Sequence, residues 1–154
     1  MAWYYDHDAC VGKVWRYLGR KYTKADYEQG IVYGRITDAY GYNDKTKQWC
    51  VCEVKVEWPD VQQGPIQIFD TAFNLQKKHK ECTVVPVLAI PDALERRLRR
   101  WRNWDGLLHG CNKLGVEIWI IESGAIRRAQ GSKAQGTKAG ATKPKATKAE
   151  APRR

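Results

Sequence analysis

Residues 49–60, WCVCEVKVEWPD, alternate between apolar and polar side chains over most of their length. Side chains two apart on a β-strand point to the same face of a sheet. One face would therefore collect Cys50, Cys52, Val54, Val56 and Trp58, and the other Val51, Glu53, Lys55 and Glu57. This alternation predicts a strand with one buried face. Because free cysteine behaves as a small buried hydrophobe, we expect both cysteines to lie in a core.

The segments around this strand predict a mainly β fold with some helix, in the α+β class. Further strands are expected at residues 11–19, 30–37, 66–69, 82–91 and 115–121. Residues 38–48 carry the Gly, Asn and Asp that favour a loop. A short helix is expected over residues 70–81.

The best-defined helix is expected over residues 91–104. Leu94, Leu98 and Trp101 recur at helical spacing, which predicts an apolar face with Trp101 in the core. Five arginines cover the rest of the helix and could contact phosphates: Arg96, Arg97, Arg99, Arg100 and Arg102. A solvated charged face is the alternative interpretation.

The positive charge is concentrated at the C-terminus. Residues 1–126 hold 18 Lys and Arg against 16 Asp and Glu, whereas residues 127–154 hold nine against one. Pentads such as TKAGA and TKPKA contain no large apolar residue, so this segment predicts a disordered tail. Its lysines would bind phosphate backbones without reading sequence: Lys133, Lys138, Lys143, Lys145 and Lys148. A solubilising tail is the alternative.

The order VGKVWRYLG, GIVYGRIT, VEWPD and IQIF resembles the small barrels of the Tudor and related Src-homology-3-like families over residues 11–75. The resemblance implies a closed barrel that binds methylated lysine or arginine, for example in a histone-like peptide, through an aromatic cage. The candidate cage residues are Trp15, Tyr33, Tyr40, Tyr42 and Trp49. Ordinary core and surface aromatics are the alternative. The tail is similar in composition to linker-histone tails.

No pattern in the sequence points to catalysis, a cofactor or a metal. Cys50-x-Cys52, His79-x-x-Cys82 and His109-x-Cys111 lack the Cys-x-x-Cys spacing of structural zinc sites. Nucleophile elbows, His-Glu-x-x-His pairs and phosphate loops are also missing. We therefore expect no enzyme, no cofactor and no bound metal. Paired carboxylates cannot be recognised before the fold is known.

The predicted organisation has four parts. They are an N-terminal segment (1–10), a small barrel (11–75), a helix-plus-strand extension (76–126) and the disordered tail (127–154). The apolar runs are too short to span a bilayer and no export leader is visible, so no membrane partner is expected. Five cysteines without a leader predict reduced thiols in the nucleus or cytoplasm of the cell rather than secretion.

These features favour a non-enzymatic protein associated with nucleic acid or chromatin, in which the tail supplies affinity and the barrel selectivity. A structural component of a ribonucleoprotein or virion is the first alternative. An enzyme with an unrecognised site is the second. A deep polar pocket containing a histidine–carboxylate pair would favour it, whereas a shallow aromatic cleft would favour a reader module. DNA, RNA and a methylated peptide all stay open as ligands, as does the oligomeric state.

Overall fold

The computed structural model describes residues 6–32 and 35–135. The helices are α1 (His7–Lys21), α2 (Trp58–Val61), α3 (Gly64–Lys78), α4 (Asp92–Arg100) and α5 (Trp104–Leu114). The strands are β1 (Lys24–Val32), β2 (Arg35–Asn43), β3 (Gln48–Val54), β4 (Thr83–Pro91), β5 (Glu117–Ile121) and β6 (Ile126–Arg128).

All six strands form one mixed sheet in the order β1-β2-β3-β4-β5-β6. The β1–β2 and β2–β3 pairs are antiparallel, the β3–β4 and β4–β5 pairs are parallel, and β6 is antiparallel to β5. The α+β class is therefore confirmed. The small barrel is not confirmed, because within the described residues the sheet is open, with β1 and β6 at its edges. The expected boundary between residues 75 and 76 falls inside α3.

Two hydrophobic clusters cover the two faces of the sheet. Cys50, Cys52 and Val54 pack with α1 on one face, and Val51 packs with α3, α4 and α5 on the other. Both cysteines are fully buried, as the alternation of β3 predicts, but the prediction of a single buried face is wrong, because α3 also covers the face that carries Val51. Burial raises the pKa of the Cys52 thiol, so it stays protonated and unreactive.

Residues 11–19 were expected as a strand, and that prediction is wrong. They belong to α1, whose buried residues Cys10, Val11, Val14 and Leu18 follow helical spacing. Asp6 caps the helix, since its Oδ2 accepts a hydrogen bond from the Ala9 N–H at 3.2 Å.

The region after β3 also differs from expectation. Residues 66–69 lie in α3 rather than in a strand, because Gly64-Pro65 begins a helix instead of a turn. The helix expected over 70–81 is therefore the second half of a longer one. The strand expected over 30–37 is not continuous: its first residues belong to β1 and its last to β2, which pair antiparallel, and β2 continues to Asn43 through half of the expected loop.

The strands expected over 82–91 and 115–121 are confirmed as β4 and β5. Pro86 lies inside β4 without disrupting it. Ala89 O accepts from Lys55 N on the β3 side, so by alternation the nitrogen of Pro86 faces β5. Pairing with β5 begins at Val87, one residue later. The missing N–H of Pro86 therefore removes no hydrogen bond between β4 and β5.

The helix expected over 91–104 is divided in two. Arg102 adopts a left-handed φ of 63° between α4 and α5, and this turn buries Trp104. Trp101 is half exposed rather than in the core, because α4 ends before its apolar face reaches that position.

The disordered tail is predicted to begin at residue 127, but the structure describes an ordered chain as far as residue 135. Residues 126–128 form β6, antiparallel to β5, and the chain then continues alongside β5 as far as residue 135. Ser132 Oγ accepts from Ile118 N at 2.8 Å, and Gln135 N donates to Glu117 Oε2 at 2.6 Å. The rest of the predicted tail, residues 136–154, lies outside the described residues, as do residues 1–5.

Candidate functional site

Two carboxylates lie opposite each other on neighbouring strands, Asp38 within β2 and Glu53 near the end of β3. Ala39 pairs with Cys52 in the antiparallel register, so Asp38 and Glu53 are opposite one another one position further on. Each lies two residues from a side chain of the α3 face, Asp38 from Tyr40 and Glu53 from Val51, so both carboxylates are on that face. The two strands therefore bring together carboxylates that are separated by 14 residues of sequence.

A lysine completes this pair. Lys55 follows Glu53 on the same face, and its Nζ lies 3.3 Å from Glu53 Oε2, with both side chains 17% exposed. The Lys55 N–H donates to Ala89 O at 3.0 Å, which holds the residue against β4 beyond the end of β3. Gly64 allows α3 to begin close by, because a Cβ there would lie 2.7 Å from Leu88 Cδ1 and 3.4 Å from Lys55 Cγ.

A histidine approaches from the other side of the sheet. His7 is the first residue of α1, and its Nε2 lies 3.4 Å from Asp38 Oδ2 and 3.2 Å from Val54 O. The Val54 N–H donates to the same Asp38 oxygen at 2.8 Å. The N-terminus of α1 and the end of β3 thus hold one oxygen of the Asp38 carboxylate in place.

The electrostatics of this cluster favour a bound cation. Burial raises the pKa of Glu53, and the neighbouring Asp38 raises it further, while Lys55 and His7 lower it. Water screens the charge of a partly buried carboxylate less than that of an exposed one, so a nearby cation is attracted more strongly. Perturbed carboxylates of this kind cluster at functional sites.

The donor set suits Mg²⁺ better than zinc. Within the described ranges, no group of three or more His, Cys, Asp and Glu side chains is arranged to hold a metal ion. Mg²⁺ does not need such a cage, since it keeps several waters and binds through one or two carboxylates plus substrate phosphates. Asp38 and Glu53 would be the two carboxylates to hold such an ion.

The predicted arginine surface is divided by the structure. Arg96, Arg97 and Arg100 line a cavity of about 410 Å³ on α4. Arg99 instead pairs with Glu95 at 3.1 Å, and its guanidinium carbon lies 4.6 Å from the centre of the Trp104 ring. Arg99 therefore holds the helices together, and Arg102 forms the turn between them.

The predicted tail lysines lie mostly outside the described residues. Lys133 is the one within them: its side chain is exposed, and its backbone N–H donates to Asn112 Oδ1 at 3.0 Å. Lys138, Lys143, Lys145 and Lys148 lie beyond residue 135.

The predicted cage residues lie in two places. Tyr40, Tyr42 and Trp49 cluster on the α3 face, with His79 packed 5.4 Å from Trp49 between ring centroids. Trp15 lies on the α1 face, where it contacts Tyr27 instead. Tyr33 lies outside the described residues.

No local sequence pattern marks the residues of the carboxylate cluster as a site. The sequence predicts a loop at Asp38 and a solvent-facing strand surface at Glu53 and Lys55. The spacing of Glu53 and Lys55 was the usable sign, since it places an acid and a base on one strand face. His7 had no flanking pattern that could have revealed it.

No family model matches the chain, and neither the curated proteins nor the solved structures include a match. The resemblance to Tudor-like barrels therefore stays a prediction. No helix in the described ranges is both long and apolar enough to cross a bilayer.

Proposed function

We propose that the protein is a phosphodiesterase that hydrolyses nucleic acid with the aid of a divalent cation such as Mg²⁺. The observation that carries the proposal is the cluster of Asp38, Glu53, Lys55 and His7 beside the end of β3. It contains a histidine–carboxylate pair, which is one part of the arrangement expected of an enzyme.

Each residue has a role that follows from its contacts. Asp38 and Glu53 would hold the cation, which supplies charge for a phosphoryl oxygen and lowers the pKa of a neighbouring water. Lys55 would donate a hydrogen bond to a non-bridging phosphate oxygen and stabilise its developing charge. His7 would keep Asp38 aligned.

The hydrolysis itself is a simple exchange of bonds. Water adds to phosphorus and releases a proton to solvent, while the bond from phosphorus to one sugar oxygen breaks. The released sugar oxygen takes up a proton from solvent. The chain's contribution is to position the phosphate and offset its charge.

Charge supports nucleic acid as the substrate. The full chain carries a formal charge of +10. The arginines of α4 add a concentrated basic surface beside an open cavity. Polymers with one negative charge per nucleotide bind to such surfaces by displacing counterions.

The test is cleavage of labelled single- and double-stranded DNA and RNA by the full chain, with Mg²⁺, Mn²⁺ or EDTA. We expect cleavage with a divalent cation and none in EDTA. Asp38→Asn and Lys55→Met should each reduce the cleavage rate by about 100-fold or more, the size of effect expected from losing a positioned charge.

Glu57→Gln is the matched control. Glu57 is an exposed carboxylate of the same segment that makes no side-chain cap for α2, so its removal should leave the rate unchanged. Cleavage that persists in Asp38→Asn would rule out the proposed site.

A non-enzymatic role in binding nucleic acid or chromatin is the second candidate, favoured by the arginine cavity of α4. It includes the barrel-like reader of methylated peptides, the structural component of a ribonucleoprotein or virion, and residence in the nucleus or cytoplasm. Tight binding of nucleic acid without cleavage under any cation would support it over the enzyme.

A further inference from the structure

Two aromatic rings are exposed side by side at the edge of the sheet. Trp15 on α1 and Tyr27 on β1 have ring centroids 4.8 Å apart and planes tilted by 52°. Their exposed fractions are 36% and 42%. The Trp15 Nε1–H donates to Ala25 O at 3.3 Å, which fixes the indole against β1. This is a pre-ordered apolar surface open to solvent.

The two rings line a pocket of about 290 Å³, whose walls also include Asp8, Gly12 and Arg16. This volume is close to the lower end of about 300–1,000 Å³ for small-molecule sites. Gly12 carries no side chain, which leaves space on the α1 side of the pocket between Asp8 and Arg16. The pocket therefore suits one small flat group.

A short chain of contacts joins this pocket to the carboxylate cluster. Asp8 lines the pocket, and its Oδ1 lies 3.7 Å from His7 Nδ1. The other nitrogen of the same ring lies 3.4 Å from Asp38 Oδ2. Tyr27 also pairs across the sheet with Ala39, the neighbour of Asp38. The pocket and the two carboxylates lie on opposite faces of the sheet, and His7 at the start of α1 links them.

A basic groove adjoins the pocket on the other side. Lys13, Arg16 and Arg20 line a second cavity of about 160 Å³ between α1 and the turn before β6. Arg16 belongs to both cavities. An aromatic pocket and a cationic groove that share one arginine match the two parts of a nucleotide, its base and its phosphate.

We propose that Trp15 and Tyr27 bind an unpaired nucleobase of a single-stranded nucleic acid, while Lys13, Arg16 and Arg20 hold the phosphates that follow it. The inference rests on the proposed function and deepens it, because it names a single strand as the form of the substrate. It also assigns to α1, the only helix packed on its face of the sheet in the described residues, a role in substrate binding.

A methylated ammonium group is the competing occupant. Asp8 and Glu28 on the rim would attract a cation, and both rings could contact it. The adjoining groove argues against a basic peptide, however, because three cationic side chains would repel its other charges. The same groove attracts a polyanion, which favours the nucleic acid.

The experiment uses the full chain with a ten-nucleotide single strand that carries 2-aminopurine at successive positions. Binding is measured in EDTA, so that it depends on neither the cation nor cleavage. We expect fluorescence quenching at one position, where the base stacks on the rings. Tyr27→Leu should remove this quenching and weaken single-strand affinity about ten-fold, as the loss of one base stack does.

Two controls make the result specific. Phe73→Leu removes an exposed ring on the opposite face of the sheet and should change neither quenching nor affinity. An abasic nucleotide at the quenched position should weaken binding by the wild-type chain as much as Tyr27→Leu does, with no further loss in the variant. Trp15→Leu, checked for an unchanged unfolding midpoint, should repeat the effect.

The outcomes separate the pocket from the proposed function. If Tyr27→Leu and Trp15→Leu bind the strand as the wild type does, the pocket is overturned even if cleavage is observed. If a trimethyllysine peptide binds and displaces the strand in a Tyr27-dependent way, the occupant is a cation and the inference is overturned. Base-dependent quenching without any cleavage would overturn the phosphodiesterase and support the pocket.

Discussion

Among the individual residues, Glu53 is the one whose charge most clearly lowers the stability of the folded protein. It lies near the end of β3 in a half-buried position next to a second carboxylate, and both burial and Asp38 raise its pKa. A group that folding makes harder to ionise destabilises the native state at pH values where it is charged. Proteins keep such groups at sites where charge is used.

We predict that Glu53→Gln stabilises the protein. Because the folded-state pKa is raised, the carboxyl favours the native state at low pH, and this contribution is lost as the pH rises through the folded pKa. The glutamine should therefore raise the thermal midpoint at pH 7 and change it less at pH 4. Circular dichroism at both values measures this, and a lowered midpoint at pH 7 would contradict the argument.

The same substitution should abolish cleavage while the fold becomes more stable. Loss of activity in a more stable chain cannot come from unfolding, so this variant separates function from structure. Glu57→Gln, exposed and outside the cluster, should change neither quantity.

Among the helices and strands, a buried glutamate joins α4 to the edge of the sheet. Glu95 accepts from Arg99 at 3.1 Å through one oxygen and from Arg127 of β6 at 2.9 Å through the other. Arg127 also contacts Glu122 at 2.7 Å. This network explains how a strand of three residues remains docked at the sheet edge.

We predict that Glu95→Ala lowers the free energy of unfolding by about 2 kcal/mol, because it removes a buried acceptor of charged hydrogen bonds from two arginines. Arg96→Ala breaks only the solvent-exposed contact with Asp92 and should cost about 0.5 kcal/mol or less. Urea unfolding monitored by tryptophan fluorescence distinguishes the two. Equal losses would mean that the Glu95 network carries no special stability.

Secondary structure was predicted correctly in segments whose conformation does not depend on what they pack against. The alternation of β3 and the apolar run of β4 indicate strands by themselves, and both are strands. Residues 11–19 and 66–69 contain β-branched residues that suit either structure. In both cases the burial of one helical face against the sheet overrides the local preference.

Across the molecule as a whole, basic side chains are arranged as distinct surfaces rather than spread evenly. The groove of Lys13, Arg16 and Arg20 lies beside α1, and Arg96, Arg97 and Arg100 line the α4 cavity. Charge on separate surfaces would let one polyanion follow a path across the protein.

We predict that the triple variant Arg96→Ala, Arg97→Ala, Arg100→Ala weakens nucleic-acid binding and reduces the salt slope by about one for each phosphate that is no longer neutralised. The matched control, Lys77→Ala, Lys78→Ala, Lys80→Ala, removes the same charge from exposed positions around the C-terminal end of α3. Fluorescence anisotropy across a salt series compares them. Equal slopes in both variants would show that net charge alone drives binding.

Local sequence patterns were sufficient for several features of this protein. They indicated the α+β class, the buried cysteines of β3, and the strands β4 and β5, because periodicity and burial are encoded locally. Composition also located the excess of positive charge.

Which residues meet depends on the tertiary structure. Asp38, Glu53 and His7 come from a central strand, its partner and a helix on the far face, and no local pattern relates them. The same holds for Trp15 and Tyr27, which α1 and β1 bring to one pocket. Strand register and helix docking set these distances, and both depend on the packing of the whole sheet.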